Sequence, residues 1–177
     1  GTYSRIAYLI ITTPMLIPFQ TIMITLLKSM NVIHLAGSKI GLGIQYWGFG
    51  IPMATFIFFN FMKTIPKELD ESAKIDGAST FRTYRSIIFP LLKPIMATVV
   101  VTTAMGAWNE FMVPLYFFSS SSKWTMPLTV YNFFGQYSSN WNYVFADLVL
   151  TALPISILYL ACQKYVVAGT TAGAVKG

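Results

Sequence analysis

The sequence contains few charged residues. They make up 10% of the 177 residues, against about a quarter in typical soluble domains. Hydrophobic residues account for 55% of the chain, and the mean hydropathy is +0.60. A soluble fold of this size needs more polar surface than this to cover its core. The shortage of charge therefore excludes an ordinary soluble domain and predicts an integral membrane protein.

Residues that serve catalysis and metal binding are scarce as well. Cys162 is the only cysteine, so no disulfide can form within the chain, and we interpret it as a small packing residue. His34 is the only histidine, which leaves a metal site or a histidine-activated nucleophile without its parts. No G-x-x-x-x-G-K-S/T phosphate-binding sequence is present. We therefore expect a protein that is not an enzyme and that carries no metal or cofactor of its own.

Four apolar segments are long enough to cross a membrane. A spanning helix needs roughly 20 largely apolar residues to cross about 30 Å of hydrocarbon, whereas barrel strands are shorter and alternate strictly. The sequence therefore predicts an all-α integral membrane bundle of four transmembrane helices. The predicted helices cover residues 6–27, 40–62, 95–118 and 144–167.

Several prolines fall inside these predicted helices. Spanning helices tolerate proline because neighbouring helices and hydroxyl side chains satisfy the carbonyls that it frees. We favour simple kinking, with close helix packing at small residues such as Gly41, Gly43 and Gly48. The alternative is that kinked helices surround a pathway that opens and closes. The prolines are Pro14, Pro18, Pro52 and Pro154.

One acidic residue lies inside the third predicted helix. Glu110 follows Asn109 there, past the middle of the segment. An ionisable residue inside the membrane is a candidate functional residue, because exposing it to lipid is costly. One hypothesis is that Asn109 and Glu110 line a translocation path. The other is that Glu110 makes a structural hydrogen bond to a neighbouring helix or reaches the outer interface.

Charge is concentrated in one segment, residues 63–94, which we call the charged loop. Ten of the eighteen charged residues lie between Lys63 and Lys93. Lysine and arginine in short loops favour the cytoplasmic side. With the charged loop inside, nine lysines and arginines are cytoplasmic, and the three outside are Lys28, Lys39 and Lys123. We therefore interpret the net charge of +6 as a topology signal and expect a lipid bilayer, and no nucleic acid, as a partner.

The first half of the charged loop predicts a short helix. Pro66 suits a first helical turn, where its missing N–H costs nothing. The residues that follow, KELDESAKI, are mostly good helix formers. Glu71 is spaced to pair with Lys67 and Lys74 on the helix surface.

The second half predicts a turn and a second helix. Gly77 suits a helix stop that requires positive φ. Ser79 can cap the next helix, STFRTYRSII, which Pro90 would end or kink. The two helices share an apolar side, formed by Leu69, Ala73, Ile75, Phe81, Tyr84 and Ile88.

The order of residues in this loop resembles a family signature. It reads ESA at residues 71–73, three residues, Gly77, nine residues, and then IIFP at residues 87–90. This resembles the "EAA" signature of the membrane subunits of binding-protein-dependent ABC importers, which is Glu-Ala-Ala, three residues, Gly, nine residues and Ile-x-Leu-Pro. The sequence departs from it at Ser72 and at Phe89, and both changes conserve size or polarity.

Further stretches resemble the carbohydrate-importer branch, in particular the second permease subunit of maltose-type transporters. They are DGAS with the downstream PLLKP, AWNEFMVPL, and the terminal GTTAGAVKG. The resemblance covers nearly the whole chain and implies the ABC transmembrane type-1 architecture, with six helices in the full protein. Two N-terminal helices would then be absent here, as the start at Gly1 also suggests.

The resemblance implies that the charged loop is a coupling helix that docks in a groove of a cytoplasmic ATPase subunit. Glu71 would make polar contact with the ATPase, Ala73 would allow close approach, and Gly77 would form the turn. Gly173 and Lys176, in the predicted tail 168–177, would also contact the ATPase pair. The implied coupling residues are Glu71, Ser72, Ala73, Asp76, Gly77, Ala78 and Pro90.

The function implied is that of a permease subunit in an ATP-driven importer of a sugar, in particular an oligosaccharide. Its expected partners are a second permease subunit in a heterodimer, two ATPase subunits that bind ATP and magnesium, and an extracellular or periplasmic sugar-binding protein. Its expected location is the inner membrane of a bacterium or archaeon, as a multi-pass protein. An importer of amino acids or phosphate, and a secondary transporter that needs no motor, remain alternatives.

Overall fold

A computed structural model shows a helical protein. It describes residues 2–134 and 140–174, and the surroundings of side chains up to residue 164. Short 3-10 segments connect several of its helices. The α-helices are α1 (Thr2–Thr12), α2 (Phe19–Val32), α3 (Lys39–Met62), α4 (Glu68–Ile75), α5 (Thr80–Thr83), α6 (Phe89–Asn109), α7 (Met112–Phe117), α8 (Met126–Thr129) and α9 (Trp141–Ala174).

Three helical stretches of the described residues are long and apolar enough to span a membrane. They are Lys39–Met62, Thr80–Asn109 and Trp141–Lys164. A fourth span is formed only if the bent pair Thr2–Leu16 and Phe19–Val32 counts as one. The prediction of an all-α membrane protein is confirmed, and α3 coincides with the predicted helix 40–62 within one residue.

The predicted helix over 6–27 is divided in the structure into two helical segments. Its two halves meet at 102°. Pro14 lies in a 3-10 turn, and Pro18 forces the preceding Ile17 into extended backbone with ψ 117°. The hydroxyls of Thr12 and Thr13 donate to carbonyls one turn earlier, at 2.8 and 2.6 Å, and such bonds often accompany a bend in a helix.

The third predicted helix, 95–118, also differs from the structure. It begins earlier, because α5, a π-helical segment at Tyr84–Ile88 and α6 form one continuous stretch. Pro90 therefore does not end the helix but lies in the first turn of α6. At the other end the backbone becomes extended at Glu110, with ψ 123°. Pro114 has no N–H to donate to the Glu110 carbonyl, which favours a break in the helix at this point.

The last helix is longer than predicted. α9 begins at Trp141 and continues to Ala174, beyond the predicted end at residue 167. Its backbone therefore includes most of the segment that was expected to be a small, flexible tail. Gly173 lies within this helix, whereas Lys176 lies outside the described residues.

Two sets of contacts position the helices around α3 and α6. α9 packs along α6, and the Trp108 indole N–H donates to the Thr151 carbonyl at 3.0 Å. At the end opposite the charged loop, a buried cluster joins α2, α3 and α7. Lys123 adds a hydrogen bond to the Gly37 carbonyl at 2.8 Å, between the loops at this end. The cluster is Met30, Leu42, Val113, Phe117 and Phe118.

The glycines of α3 differ in how tightly they pack. A Cβ at Gly41 would overlap with the Leu35 carbonyl oxygen, so only glycine fits there. A Cβ at Gly43 or Gly48 would meet no atom within 4 Å. Of the three glycines predicted to allow close approach, only Gly41 does so within the described part of this chain.

Candidate functional site

The first helix of the charged loop begins one turn after the end of α3. α4 starts at Glu68, and the Leu69 N–H donates to the Pro66 carbonyl at 3.4 Å. Three acidic residues, Glu68, Asp70 and Glu71, occupy its first turn. Negative charge at a helix N-terminus interacts favourably with the helix dipole. The sequence thus favours a helix that starts here and is acidic at its beginning.

A Schellman motif ends α4. Gly77 has φ +72° and donates to the Lys74 carbonyl at 3.0 Å, while Ala78 donates to the Ala73 carbonyl at 2.9 Å. These two bonds satisfy carbonyls that the helix end would otherwise leave unpaired. The predicted role of Gly77 as a positive-φ turn residue is confirmed.

The second helix of the loop begins at a cap and leads directly into a spanning helix. The Ser79 side chain accepts a hydrogen bond from the Arg82 N–H at 3.3 Å, as predicted. From Thr80 the chain is helical without interruption to Asn109. The charged loop is therefore a helix–turn–helix whose second arm is the start of a membrane span.

The predicted ion pairs of Glu71 do not form. Lys74 instead pairs with Asp70 at 2.6 Å, the one salt bridge found among the described residues. The hydrogen bond to Asp70 and the negative charge of Asp70 raise the pKa of Lys74 above the ordinary 10.5. The stability that this ion pair contributes is complete below pH 10.5 and is lost only as the pH rises through the raised pKa of Lys74. It therefore gives no pH dependence of stability near neutrality. Glu71 remains exposed, with its carboxylate free for an external contact.

The residues predicted for coupling divide by exposure. Glu71, Ser72, Asp76, Gly77 and Pro90 are exposed, and Ala78 is half-buried. Ala73 is only 3% exposed, so its small side chain allows close packing within this chain. The close approach of a partner at Ala73 stays a prediction.

The predicted apolar side of the charged loop is only partly covered. Ala73 is buried, but the side chains of Ile75 and Phe81 are 86% and 70% exposed. These two exposed apolar side chains lie on either side of the Gly77 turn. The tip of the loop thus presents both an acidic and an apolar group to its surroundings.

A second candidate region is a cavity of about 960 Å³ between α2, α3, α6 and α7. α6 contributes a stripe at four-residue intervals, Thr98, Thr102 and Gly106, and Glu110 follows one step further on. These four positions extend over about 18 Å at ~1.5 Å per residue. The other lining residues are Phe19, Gln20, Tyr46, Phe49, Gly50, Met53, Phe56, Ile57, Thr103, Ala107, Met112 and Val113.

Glu110 links the helix break to this cavity. Its Oε1 accepts hydrogen bonds from the N–H groups of Met112 at 2.9 Å and Val113 at 3.1 Å, which caps α7. Glu110 therefore makes a structural hydrogen bond to a neighbouring helix, as one of the two hypotheses predicts, and that helix is α7, the next segment of the chain. Glu110 also lines the cavity, whereas Asn109 is exposed and does not line it. Of the two residues predicted to line a translocation path, only Glu110 therefore lines this cavity.

Several lining residues were not predicted as site residues. The four-residue spacing of Thr98, Thr102 and Gly106 is visible in the sequence and could have indicated one face of a helix. Gln20 could not have been found this way, because it lies on α2, far from α6 in the sequence, and lines the cavity only in the packed bundle. Among the described residues, no group of three or more histidine, cysteine, aspartate and glutamate side chains could hold a metal ion.

Known proteins match most of the chain. A probable starch degradation products transport system permease protein of Thermoanaerobacterium thermosulfurigenes is 40% identical over 98% of this chain and 63% of its own. A multiple sugar-binding transport system permease protein of Streptococcus mutans is 42% identical over 97% of this chain and 62% of its own. The melibiose/raffinose/stachyose import permease protein of Bacillus subtilis is 39% identical over 72% of this chain and 46% of its own. The chain spans less than two-thirds of the length of these relatives.

The family comparison agrees with the resemblance found in the charged loop. The sequence model described as "Binding-protein-dependent transport system inner membrane component" matches residues 1–171. This range includes the charged loop, the cavity and most of α9. The chain therefore belongs to the family of inner membrane components of binding-protein-dependent transport systems.

Proposed function

We propose that this chain is part of the permease subunit of an ATP-driven importer that moves a sugar, in particular an oligosaccharide, across the membrane by alternating access. The printed functions of the relatives, which concern starch degradation products, multiple sugars and raffinose-type sugars, support this substrate class. The subunit itself would not hydrolyse ATP. ATP and magnesium would be bound by two cytoplasmic ATPase subunits.

The observation that carries this proposal is the continuous helix from Thr80 to Asn109. Its first residues form the second arm of the charged loop, and its later residues line the cavity. A force applied at the loop is therefore transmitted along one helix to the cavity wall. Rigid-body displacement of packed helices is an established way to convert a contact at one site into movement at another.

The charged loop is the surface proposed to dock on an ATPase. Glu71, Ser72 and Asp76 are exposed and polar, and the Gly77 turn sets the angle between the two arms. Ala78 and Pro90 flank this turn and the start of α6. Ala73 would act indirectly, since it packs within the loop. Gly173 and Lys176 are proposed as a further contact with the ATPase pair.

The remaining partners follow from the family. A second permease subunit in a heterodimer would complete the path, and an extracellular or periplasmic sugar-binding protein would deliver the sugar. The protein would be a multi-pass protein of a bacterial or archaeal inner membrane, with the charged loop inside. The Lys and Arg bias supports this orientation, and nucleic acid is not a proposed partner.

The cavity chemistry weighs against phosphate as the solute. No lysine, arginine or histidine is found among its described lining residues, and Glu110 is acidic. An anion placed beside a carboxylate without a compensating cation is electrostatically unfavourable. A neutral, hydroxyl-rich solute does not meet this penalty. In a transporter without a motor, the exposed Glu71 and the Gly77 turn would have no ATPase to contact.

Purification of the full-length protein with its second permease and ATPase subunits tests this proposal. We expect ATPase to co-purify and its hydrolysis to be stimulated by the sugar-loaded binding protein. Glu71→Ala should lower ATPase affinity by about tenfold or more, because truncating one side of a charged interface contact typically costs at least this much. Affinity is measured by titrating ATPase onto the permease pair in lipid nanodiscs.

Glu68→Ala is the matched control. Glu68 is an exposed glutamate in the first turn of the same helix, so its removal changes charge and helix dipole in the same way. It should leave the affinity close to that of the wild type. If no ATPase binds the wild-type protein, or if Glu71→Ala retains full affinity and stimulated hydrolysis, the proposed coupling is refuted.

A further inference from the structure

The cavity contains polar groups that no other residue of the described chain uses. The carboxylate of Glu110 accepts hydrogen bonds only at Oε1. Its other oxygen, Oε2, has no hydrogen-bond partner among the described residues. The hydroxyl of Thr103 and the amide of Gln20 likewise make no hydrogen bond within the described part of the chain. All three side chains line the same cavity.

The two threonines of the α6 stripe differ from Thr103, because their hydroxyls already donate within the chain. The hydroxyl of Thr102 donates to the Thr98 carbonyl at 2.9 Å, and that of Thr98 donates to the Pro94 carbonyl at 3.3 Å. A hydroxyl has one proton to donate, so neither of these two hydroxyls has a proton left to donate to a ligand. Thr103 and Gln20 keep their donors, and Glu110 adds a strong acceptor.

Apolar rings lie beside these polar groups. Phe19, Phe49 and Phe56 line the cavity with Gln20 and Glu110. Small-molecule sites typically combine apolar and aromatic walls with a few polar groups that fix orientation. A sugar ring has an apolar C–H face and a rim of hydroxyls, so it can use both kinds of wall at once.

The break between α1 and α2 contributes to this arrangement. Phe19 and Gln20 are the first two residues of α2, directly after the 102° bend. A straight helix would carry these residues away from this position relative to α1. The aromatic ring and the amide that follow the bend both line the cavity.

We propose that Glu110, Thr103 and Gln20 form a saccharide-contacting site on this subunit, with Glu110 accepting hydroxyl groups through Oε2. The inference rests on the proposed function and goes further, because it places direct sugar contact on this chain. The capping bonds at Oε1 hold the carboxylate in position. The neutral donors of Thr103 and Gln20 complement the hydroxyl oxygens of the sugar.

The test uses the complete transporter in liposomes that contain ATP, with saturating binding protein. Maximal uptake rates are measured for radiolabelled maltotriose and raffinose, and the result is the ratio of the two rates. Glu110→Gln keeps an acceptor oxygen for the α7 cap but replaces the charged acceptor, and Thr103→Val keeps the shape but removes the hydroxyl. Thr25→Val is the matched control, because Thr25 is an exposed threonine of α2 outside the cavity.

We expect the rate ratio to change by about tenfold in Glu110→Gln and about threefold in Thr103→Val, as for the loss of charged and neutral hydrogen bonds. Thr25→Val should keep the wild-type ratio. Wild-type rates and ratios in both site variants would overturn the proposal, as would an equal loss for both sugars, since a merely structural role does not distinguish them. If the wild type shows no ATP-driven uptake of any oligosaccharide that its binding protein accepts, the proposed function fails first and this inference falls with it.

Discussion

Gly77 offers the sharpest test of how the charged loop works. Its φ of +72° is a conformation that L-residues other than glycine rarely adopt, and a Cβ there would meet no atom within 4 Å. A substitution is therefore opposed by the backbone alone and not by steric overlap within the chain. The left-handed conformation costs most L-residues about 1–2 kcal/mol.

Gly77→Ala should therefore weaken ATPase docking by roughly 5- to 30-fold, the factor that corresponds to this free energy. In the free variant the loop relaxes to negative φ and loses the bonds from Gly77 to Lys74 and from Ala78 to Ala73. Docking must restore the turn, so its cost appears in the affinity. The assay is again titration of ATPase onto the permease pair in nanodiscs. The prediction rests on the proposed function.

Gly77→Asn separates the conformation of residue 77 from its size. Asparagine adopts positive φ more readily than alanine, yet its side chain is larger. If conformation decides, Gly77→Asn should lose less affinity than Gly77→Ala. If Gly77→Asn binds ATPase more weakly than Gly77→Ala, the size of the side chain at the interface decides, and the reasoning from φ is refuted.

Two further predictions concern the glycines of the bundle. Gly41→Ala should lower the free energy of unfolding by about 1–3 kcal/mol, because the new Cβ overlaps with the Leu35 carbonyl, whereas Gly43→Ala should be neutral or gain up to about 1 kcal/mol. Denaturant unfolding in detergent compares them, and equal values for the two variants would contradict the packing at Gly41. Gly106→Leu should remove most ATP-driven uptake by filling the cavity without loss of ATPase binding, since a Cβ there meets nothing within 4 Å. Gly48→Leu, which lies outside the cavity, is its control, and equal uptake by both would show that the cavity is not the path.

The sequence predicted the charged loop well because its signals are local. A helix start, a positive-φ glycine and a serine cap each depend on a few neighbouring residues, and α4, Gly77 and Ser79 were found as expected. The partner of Lys74 was not predicted, because Glu71 and Asp70 both lie within reach of it on the helix surface. Such exposed pairs differ too little in energy for the sequence to select one.

The helix ends were harder to predict, because hydropathy does not record where a backbone bends. The segments 6–27 and 95–118 are apolar throughout most of their length, yet the first breaks at Pro14 to Pro18 and the second at Glu110. The prolines were visible, but a proline can kink a helix or divide it. The outcome depends on whether neighbouring groups satisfy the freed carbonyls.

The sequence by itself determined that this is an all-α membrane protein of the binding-protein-dependent family, because composition, apolar length and a fixed motif spacing are properties of the chain alone. Only the tertiary structure decided that Ala73 packs inward, that Glu110 caps α7 beside a cavity, and that Gln20 and Thr103 line the same space. These residues lie far apart in sequence. They meet only because α2, α3, α6 and α7 pack together, and packing depends on shape and contacts that no local pattern encodes.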